Sequence, residues 1–396
     1  MRISSSVYQL QWLSAVRRQQ AELSATQYRL STGKRINTAA DDPAGAAQAI
    51  LLQQGLDRLQ NFSANAATAQ RRLGLEESSL AQASDALNRV RELALQAANG
   101  TQTPESRSAI AAEAKELLNG LINTANSQDG EGRYLFAGNQ VQTQPFVMSG
   151  SVQYAGDNGT RFQRVADART VQEGDAGSAV FMQIPAGNGT YKLTAAGTNQ
   201  GNAYWSSATV TSGGPFVTGT HTLQFTSATT WEVRTAGVLV ASGSNFAPGD
   251  SISFQGATIE FQGTPATGDQ FTVAPAGFQD VFKTVQDFIT ALGTSTSSPA
   301  GRAVFQNQVN SNLQNLDQAL QHLGNVRSQV GARLATIDQQ LESNADVELE
   351  LSSSLSVIRD LDYPGAISRL ELQLTSLEAA QKAYARTQSF SLFDVL

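Results

Sequence analysis

Few residues in this chain have the types and spacing that catalysis or metal binding requires. The sequence holds two histidines, His221 and His322, and no cysteine. The histidines lie far apart, so neither belongs to the HxxxH or HExxH motif of a zinc protease. A chain without cysteine has no thiol nucleophile and no cysteine-ligated zinc. We therefore expect no metal site and no cofactor.

Glycine-rich loops that could hold a phosphate are also incomplete. Around Gly33-Lys34, Tyr28 stands where a P-loop needs its first glycine. In Gly130-Glu131-Gly132, Leu135 stands where a dinucleotide-binding motif needs its third glycine. These departures remove the backbone geometry that lets both motifs approach phosphate closely. The sequence therefore predicts a protein that is not an enzyme.

The rest of the chain divides sharply by pattern. Residues 1–138 and 278–396 show the apolar spacing of long amphipathic helices, whereas 140–277 alternates short β-branched runs with Gly, Pro and Asn turns. One of these turns, Asp157-Asn158-Gly159, is typical of a β-hairpin. The pattern predicts an α+β fold, in which a long antiparallel helical rod or coiled coil from both termini carries an inserted antiparallel β domain.

This organisation predicts three domains. Residues 1–40 and 362–396 would form a terminal coiled-coil assembly domain, and residues 41–139 and 278–361 would form a helical rod domain. Residues 140–277 would form an outer β domain.

Local signals mark the turn between the first two helices. Gly33 can take the left-handed conformation that ends a helix. Asp42 is a good N-cap, and Pro43 suits the first helical position because its missing N–H would be unpaired there anyway. We expect a structural turn at Gly33, Asp42 and Pro43.

Apolar residues of the terminal helices repeat at spacings of four and three, which indicates a coiled-coil seam. Gln20 and Gln27 occupy two positions of the first seam, so the helix is too polar there to be stable without partners. We expect the assembly interface to use Leu13, Val16, Leu23, Leu30, Leu370, Leu374, Leu377, Tyr384, Leu392, Phe393 and Leu396.

Charge supports the meeting of the two ends. Residues 1–40 contain six basic residues and one acidic residue, whereas 338–396 contain ten carboxylates and four basic residues. Such blocks attract each other on encounter. The net charge of −7 argues against a nucleic-acid partner, and no apolar run is long enough to span a membrane. The first residues lack the apolar core of a cleaved signal peptide.

Several motifs resemble the bacterial flagellin superfamily. They are Leu30-Ser31-Thr32-Gly33-Lys34-Arg35-Ile36-Asn37, Asp41-Asp42-Pro43-Ala44-Gly45 and Gly132-Arg133-Tyr134-Leu135-Phe136-Ala137-Gly138. The ending Ser389-Phe390-Ser391-Leu392-Phe393-Asp394-Val395-Leu396 resembles the hook–filament junction family, hook-associated protein 3, more than filament flagellin.

The resemblance implies a structural flagellar subunit that is exported unfolded by the type III apparatus and polymerises through its terminal helices outside the cell. It also implies four partners: hook-associated protein 1, flagellin, copies of the chain in a ring, and an export chaperone on the C-terminal helix. Two alternatives stay open here. One is filament flagellin, and the other is a surface adhesin that binds glycans through Tyr204, Trp205, Phe216 and Trp231 of the β insert.

Overall fold

The computed structural model of the chain describes residues 5–211 and 219–389, which form two compact units. We call residues 1–64 and 340–396 the terminal unit, and residues 65–339 the central unit. The division falls at different residues from the domain limits expected at 40 and 362. The three-domain division therefore stays a prediction, while the α+β fold class is confirmed.

Six α-helices occur in the described residues. They are α1 (Ser5–Thr32), α2 (Pro43–Ala98), α3 (Pro104–Ala125), α4 (Val281–Leu292), α5 (Pro299–Arg359) and α6 (Tyr363–Ser389). A short π-helical turn spans Ser178–Met182. Proline occupies the first position of α2, α3 and α5, where its missing N–H costs no hydrogen bond.

Side chains cap the helix starts in the central unit. Thr103 Oγ1 accepts a hydrogen bond from Ser106 N at the start of α3, and Asp280 Oδ1 accepts one from Lys283 N at the start of α4. Ser298 Oγ does the same for Gly301 N at the start of α5. These oxygens satisfy N–H groups that have no partner inside the helix.

Fourteen short strands lie between α3 and α4 in the described residues. They are β1 (Phe146–Ser149), β2 (Ser151–Tyr154), β3 (Phe162–Ala166), β4 (Arg169–Gln172), β5 (Ile184–Pro185), β6 (Tyr191–Ala195), β7 (Tyr204–Val210), β8 (His221–Phe225), β9 (Trp231–Thr235), β10 (Val238–Gly243), β11 (Ser251–Phe254), β12 (Ala257–Gln262), β13 (Gln270–Pro275) and β14 (Phe278–Gln279).

The largest sheet has the order β10-β9-β8-β13-β6, and a second has the order β11-β12-β7. All of their pairings are antiparallel. Alternate side chains of both sheets share one core, in which Phe225, Phe261 and Phe271 pack edge to face. This core is the main apolar interior of the β insert.

The predicted hairpin at Asp157-Asn158-Gly159 is wrong. β2 pairs with β1 before it, and β3 pairs with β4 after it, so the two strands beside this segment do not pair with each other. Asp157 Oδ1 instead accepts hydrogen bonds from Asn139 N and Gly159 N, at 2.7 and 3.0 Å. The turn residues therefore join the segment to the chain that follows α3.

Amide side chains of α5 bind the main chain of the β insert. Asn307 Oδ1 accepts from Trp205 N at 3.0 Å, and Asn310 Nδ2 donates to Trp205 O at 2.6 Å. Asn315 Oδ1 accepts from Gly187 N at 2.7 Å. We call Asn307, Asn310 and Asn315 the amide row, which attaches the insert to α5 within the central unit.

Helix α2 carries a buried carboxyl group in the central unit. Glu76 is 1% exposed, and its Oε1 accepts a hydrogen bond from Asp175 N at 3.1 Å. Arg333 binds both carboxylate oxygens of Asp175, and Arg72 lies against the same loop at Gly174. Burial and the neighbouring charge of Asp175 raise the pKa of Glu76 well above its ordinary value near 4.5. Glu76 therefore holds its proton more tightly in the folded chain.

This raised pKa predicts a pH dependence of stability. The contribution of protonated Glu76 is fully present below pH 4.5 and is lost as the pH rises through the higher folded pKa. Glu76→Gln should therefore gain stability relative to the wild type as the pH rises through this window, by at most about 1.4 kcal/mol per pH unit.

Thermal unfolding followed by circular dichroism between pH 4 and 8 measures this difference. Glu92→Gln is the control, because the Glu92 side chain is 66% exposed and pairs with Arg89 on the helix surface. If both variants showed the same pH profile relative to the wild type, Glu76 would not carry the effect.

Candidate assembly interface

Helices α1 and α6 pack side by side in the terminal unit. The rings of Trp12 and Tyr384 are stacked, with their centroids 3.7 Å apart. Further along, Gln19 Nε2 donates to Ser376 Oγ at 2.5 Å. Residue numbers rise along α1 as they fall along α6, so the helices are antiparallel. The first and last helices of the described chain therefore meet, as the charge pattern indicated.

The seam between these helices has the heptad spacing of a coiled coil. Its buried and half-buried positions alternate at spacings of four and three residues on both helices. They are Trp12, Val16, Gln19, Leu23, Thr26 and Leu30 on α1, and Ala366, Leu370, Gln373, Leu377, Ala380 and Tyr384 on α6.

Four of the positions predicted for the seam, Leu13, Gln20, Gln27 and Leu374, are exposed instead. Leu13 is 39% and Leu374 45% exposed. The prediction chose the wrong one of two heptad phases, which share Val16, Leu23 and Leu30 on α1. The structure uses the phase that stacks Trp12 on Tyr384. Leu392, Phe393 and Leu396 lie outside the described residues.

The turn after α1 is bonded through its backbone to the turn before α6. Arg35 N donates to Arg359 O at 2.7 Å, and Leu361 N donates to Gly33 O at 3.0 Å. Lys34 and Asp360 form a single antiparallel β-bridge between these bonds. The Arg35 guanidinium also donates to the Ile358 carbonyl at 2.6 Å. We call residues 33–35 and 358–361 the clasp.

Gly33 allows the clasp to form. Its φ of +68° is favourable only for glycine, and a Cβ atom there would lie 2.7 Å from the Tyr363 hydroxyl. Gly33 N still donates to Arg29 O, so the residue ends α1 while its carbonyl binds Leu361. Gly33 therefore both ends α1 and contributes a hydrogen bond to the clasp.

Two neighbouring aspartates fix the segment that leads into α2. Asp42 Oδ1 accepts from Gly45 N at 2.9 Å, and α2 begins at Pro43. Asp41 accepts from the Arg29 guanidinium and from the backbone and hydroxyl of Thr38. The bond from Arg29, followed by those from Thr38, lowers the pKa of Asp41 well below its ordinary range. Asp41 therefore stays charged in the folded turn.

The terminal unit exposes many large apolar side chains. Thirteen of those in its described part are at least 39% exposed. They are Val7, Leu10, Leu13, Tyr28, Ile50, Leu51, Val347, Leu349, Val357, Tyr363, Ile367, Leu372 and Leu374. Leu349, Val357 and Leu372 are more than 70% exposed. We take these thirteen side chains as the candidate assembly surface of the terminal unit.

Several residues of this surface and of the seam were not predicted from the sequence. Trp12 and Gln19 belong to the second heptad phase. Leu349 and Leu372 lie on outward faces that a single seam does not use. The other heptad phase, with Trp12 in place of Leu13, is the signal that could have revealed the seam residues, whereas Leu349 and Leu372 follow no period of their own.

Both histidines have structural partners. His221 is fully buried, and its Nδ1 lies 2.6 Å from Thr235 Oγ1. His322 Nε2 lies 2.8 Å from the Ala179 carbonyl. No cluster of metal-ligating side chains occurs among residues 5–211 and 219–389. Over the same residues, no helix is long and apolar enough to cross a membrane.

The three described aromatic residues of the glycan-binding alternative do not form an exposed platform. Trp205 is 2% exposed in the core of the insert, and Trp231 packs against that core. Tyr204 is half-buried. Phe216 lies outside the described residues. These positions favour a packing role for the two tryptophans over sugar stacking.

Comparison with known families matches both ends of the chain. The bacterial flagellin N-terminal helical region matches residues 3–141, and the bacterial flagellin C-terminal helical region matches residues 313–396. Neither match includes residues 142–312, which contain the strands.

Solved structures match across the centre as well. The crystal structure of FlgL from Xanthomonas campestris is 35% identical with a TM-score of 0.73, over 77% of this chain and 99% of that one. The chain belongs to the FlgL family. The flagellar junction protein FlgL from Legionella pneumophila is 33% identical with a TM-score of 0.71, over 79% of this chain and 100% of that one.

A relative from Salmonella typhimurium, flagellar hook-associated protein 3, is 34% identical over 184 residues. The match includes 46% of this chain and spans 58% of the length of that relative. Members of this family are structural components of the flagellum.

The Asp42 cap gives a direct test of the turn. Asp42→Ala removes the acceptor of the Gly45 N–H and a negative charge at the start of α2, which should cost about 1 kcal/mol of folding free energy. Asp42→Asn keeps a capping oxygen and should lose less. Chemical denaturation followed by circular dichroism measures both changes. Equal stability of the alanine variant and the wild type would contradict the capping role.

Proposed function

We propose that the protein is a structural subunit of the bacterial flagellum at the junction between hook and filament, where copies of the chain form a ring through their N- and C-terminal helices. One observation carries this proposal: the apolar surface of the terminal unit. Its helices already pair at the α1–α6 seam, yet the thirteen apolar side chains described above remain exposed.

Energetics favours burial of this surface against other subunits. Full burial of a large apolar side chain contributes roughly 1.5–3 kcal/mol. The residues concerned lie on α1, α2, α5 and α6, so a neighbour could contact any helix of the unit. The sequence-predicted residues Leu13 and Leu374 belong to this outward set. Val16, Leu23, Leu30, Leu370, Leu377 and Tyr384 would act indirectly, by holding α1 and α6 together.

The partners and the route to the assembly follow from the family. We infer that the ring contacts hook-associated protein 1 on one side and flagellin on the other. The chain would leave the cell unfolded through the flagellar export apparatus, with a chaperone bound to its C-terminal helix, and act outside the cell. The absence of cysteine suits this route, since no disulfide can form before export is complete. Assembly would need no catalysis, so we propose that the protein is not an enzyme.

Deletion of the gene tests the junction role directly. Electron microscopy of the deletion strain should show intact hooks without attached filaments, with flagellin released into the medium. Expression of the full chain should restore attached filaments. Attached filaments in the deletion strain would contradict the junction role, and absence of hooks would assign the chain to an earlier step.

A pair of substitutions tests the interface. Leu349→Ser with Leu372→Ser removes two exposed apolar side chains from α5 and α6. The isolated chain should keep its stability within about 0.5 kcal/mol, because neither residue is in the core. Incorporation at the hook tip should fall at least about tenfold, since 1.4 kcal/mol of lost burial already gives that factor.

Quantitative immunoblotting of purified hook-basal bodies measures incorporation, and circular dichroism checks the fold. Leu75→Ser with Leu95→Ser is the matched control, because both leucines are exposed on α2 in the central unit. Equal incorporation of the two double variants would show that the apolar surface of the terminal unit does not drive assembly.

A further inference from the structure

Most arginines of the central unit form ion pairs with carboxylates. Ion pairs hold Arg72, Arg89, Arg91, Arg133, Arg161, Arg234, Arg327 and Arg333. Arg107 and Arg302 differ. Both donate to main-chain carbonyls of the connection between α4 and α5, at Thr294 and Thr296. These carbonyls accept hydrogen bonds but carry no negative charge that would neutralise the guanidinium groups.

Arg107 is deeply buried for an arginine that donates to a main-chain carbonyl. It is 5% exposed, and its guanidinium lies over the ring of Phe305 with its carbon 5.1 Å from the ring centroid. Nη1 donates to Thr294 O at 3.2 Å, whereas the buried Nε has no hydrogen-bond partner. Buried charges are normally paired, because an isolated charge is costly away from water. The site thus holds a cation whose hydrogen-bonding capacity is only partly used.

A cavity of about 480 Å³ opens beside this side chain. Its wall includes Arg107 and Ser108 from α3 and the Thr294-Ser295-Thr296-Ser297 segment, with no acidic residue among the described side chains that line it. A smaller cavity of about 50 Å³ is lined by both Arg107 and Arg302. The volume is large enough for a phosphate or carboxylate group, and the hydroxyl groups of Ser108 and Thr296 on the wall can donate hydrogen bonds to it, whereas Thr294 Oγ1 already donates to Gln308 Oε1.

We propose that this cavity, the Arg107 cavity, binds a small oxyanion such as phosphate or a carboxylate. A planar guanidinium binds both classes through parallel hydrogen bonds, and the bond is strengthened by the charge. The anion would neutralise Arg107, and the hydroxyl groups of Ser108 and Thr296 would bind its remaining oxygens. Binding would thereby link α3 to the start of α5 within the central unit.

Thermal unfolding of the full chain tests the proposal. Sodium phosphate, sodium acetate and sodium chloride are compared at one pH and equal ionic strength, so that general screening is the same. At several times its dissociation constant, the bound anion should raise Tm by roughly 2 °C over chloride. A larger effect of phosphate or of acetate identifies the preferred class, and no effect of either overturns the proposal.

Three variants assign the effect to the cavity. Arg107→Gln should abolish the shift, whereas Arg71→Gln should retain it, because Arg71 is an exposed residue of α2 whose guanidinium donates to Thr68. Ser108→Phe should also abolish the shift by filling the cavity while leaving the Arg107 charge in place. This variant decides the matter if Arg107→Gln fails to fold. A full shift in Ser108→Phe would overturn the proposal.

Discussion

The backbone clasp is the contact on which the terminal unit depends. Antiparallel helices that carry polar residues in their seam gain little from apolar burial, so another interaction must set their register. The bonds between residues 33–35 and 358–361 do this with main-chain groups. They fix the point at which α1 ends beside the start of α6, and the Trp12–Tyr384 stack then follows at the far end of the seam. Because only glycine readily adopts the backbone conformation of residue 33, the clasp depends on Gly33.

Much of the fold could be predicted from the sequence. The start of α2 at Pro43 followed from its Asp42 cap and the position of the proline, which act locally. The strands of the two main sheets followed from alternation and turn residues. The prediction of a hairpin at Asp157-Asn158-Gly159 failed because strand pairing is decided by the whole sheet. Local turn chemistry cannot distinguish a hairpin from a loop that bonds to a distant segment such as Asn139.

The interface was predicted less well, for a physical reason. Heptad periodicity shows that a helix has an apolar stripe, but two phases fitted α1 equally at Val16, Leu23 and Leu30. Whether Leu13 or Trp12 faces the seam depends on the ring of Tyr384, which lies near the other end of the chain. Outward residues such as Leu372 carry no periodic signal of their own. The sequence could not show that the charge of Arg107 is buried, because burial is a property of the fold.

The amide row has a consequence for how the β insert can change over time. Asn307 and Asn310 bind the amide and carbonyl of residue 205, and Asn315 binds the amide of residue 187. Every amino acid except proline offers these same main-chain groups. Substitutions that repack the insert can therefore accumulate without loss of its attachment to α5. Selection would act separately on the outer surface of the insert and on the asparagines. The surface of the insert could therefore diversify while the three asparagines are preserved.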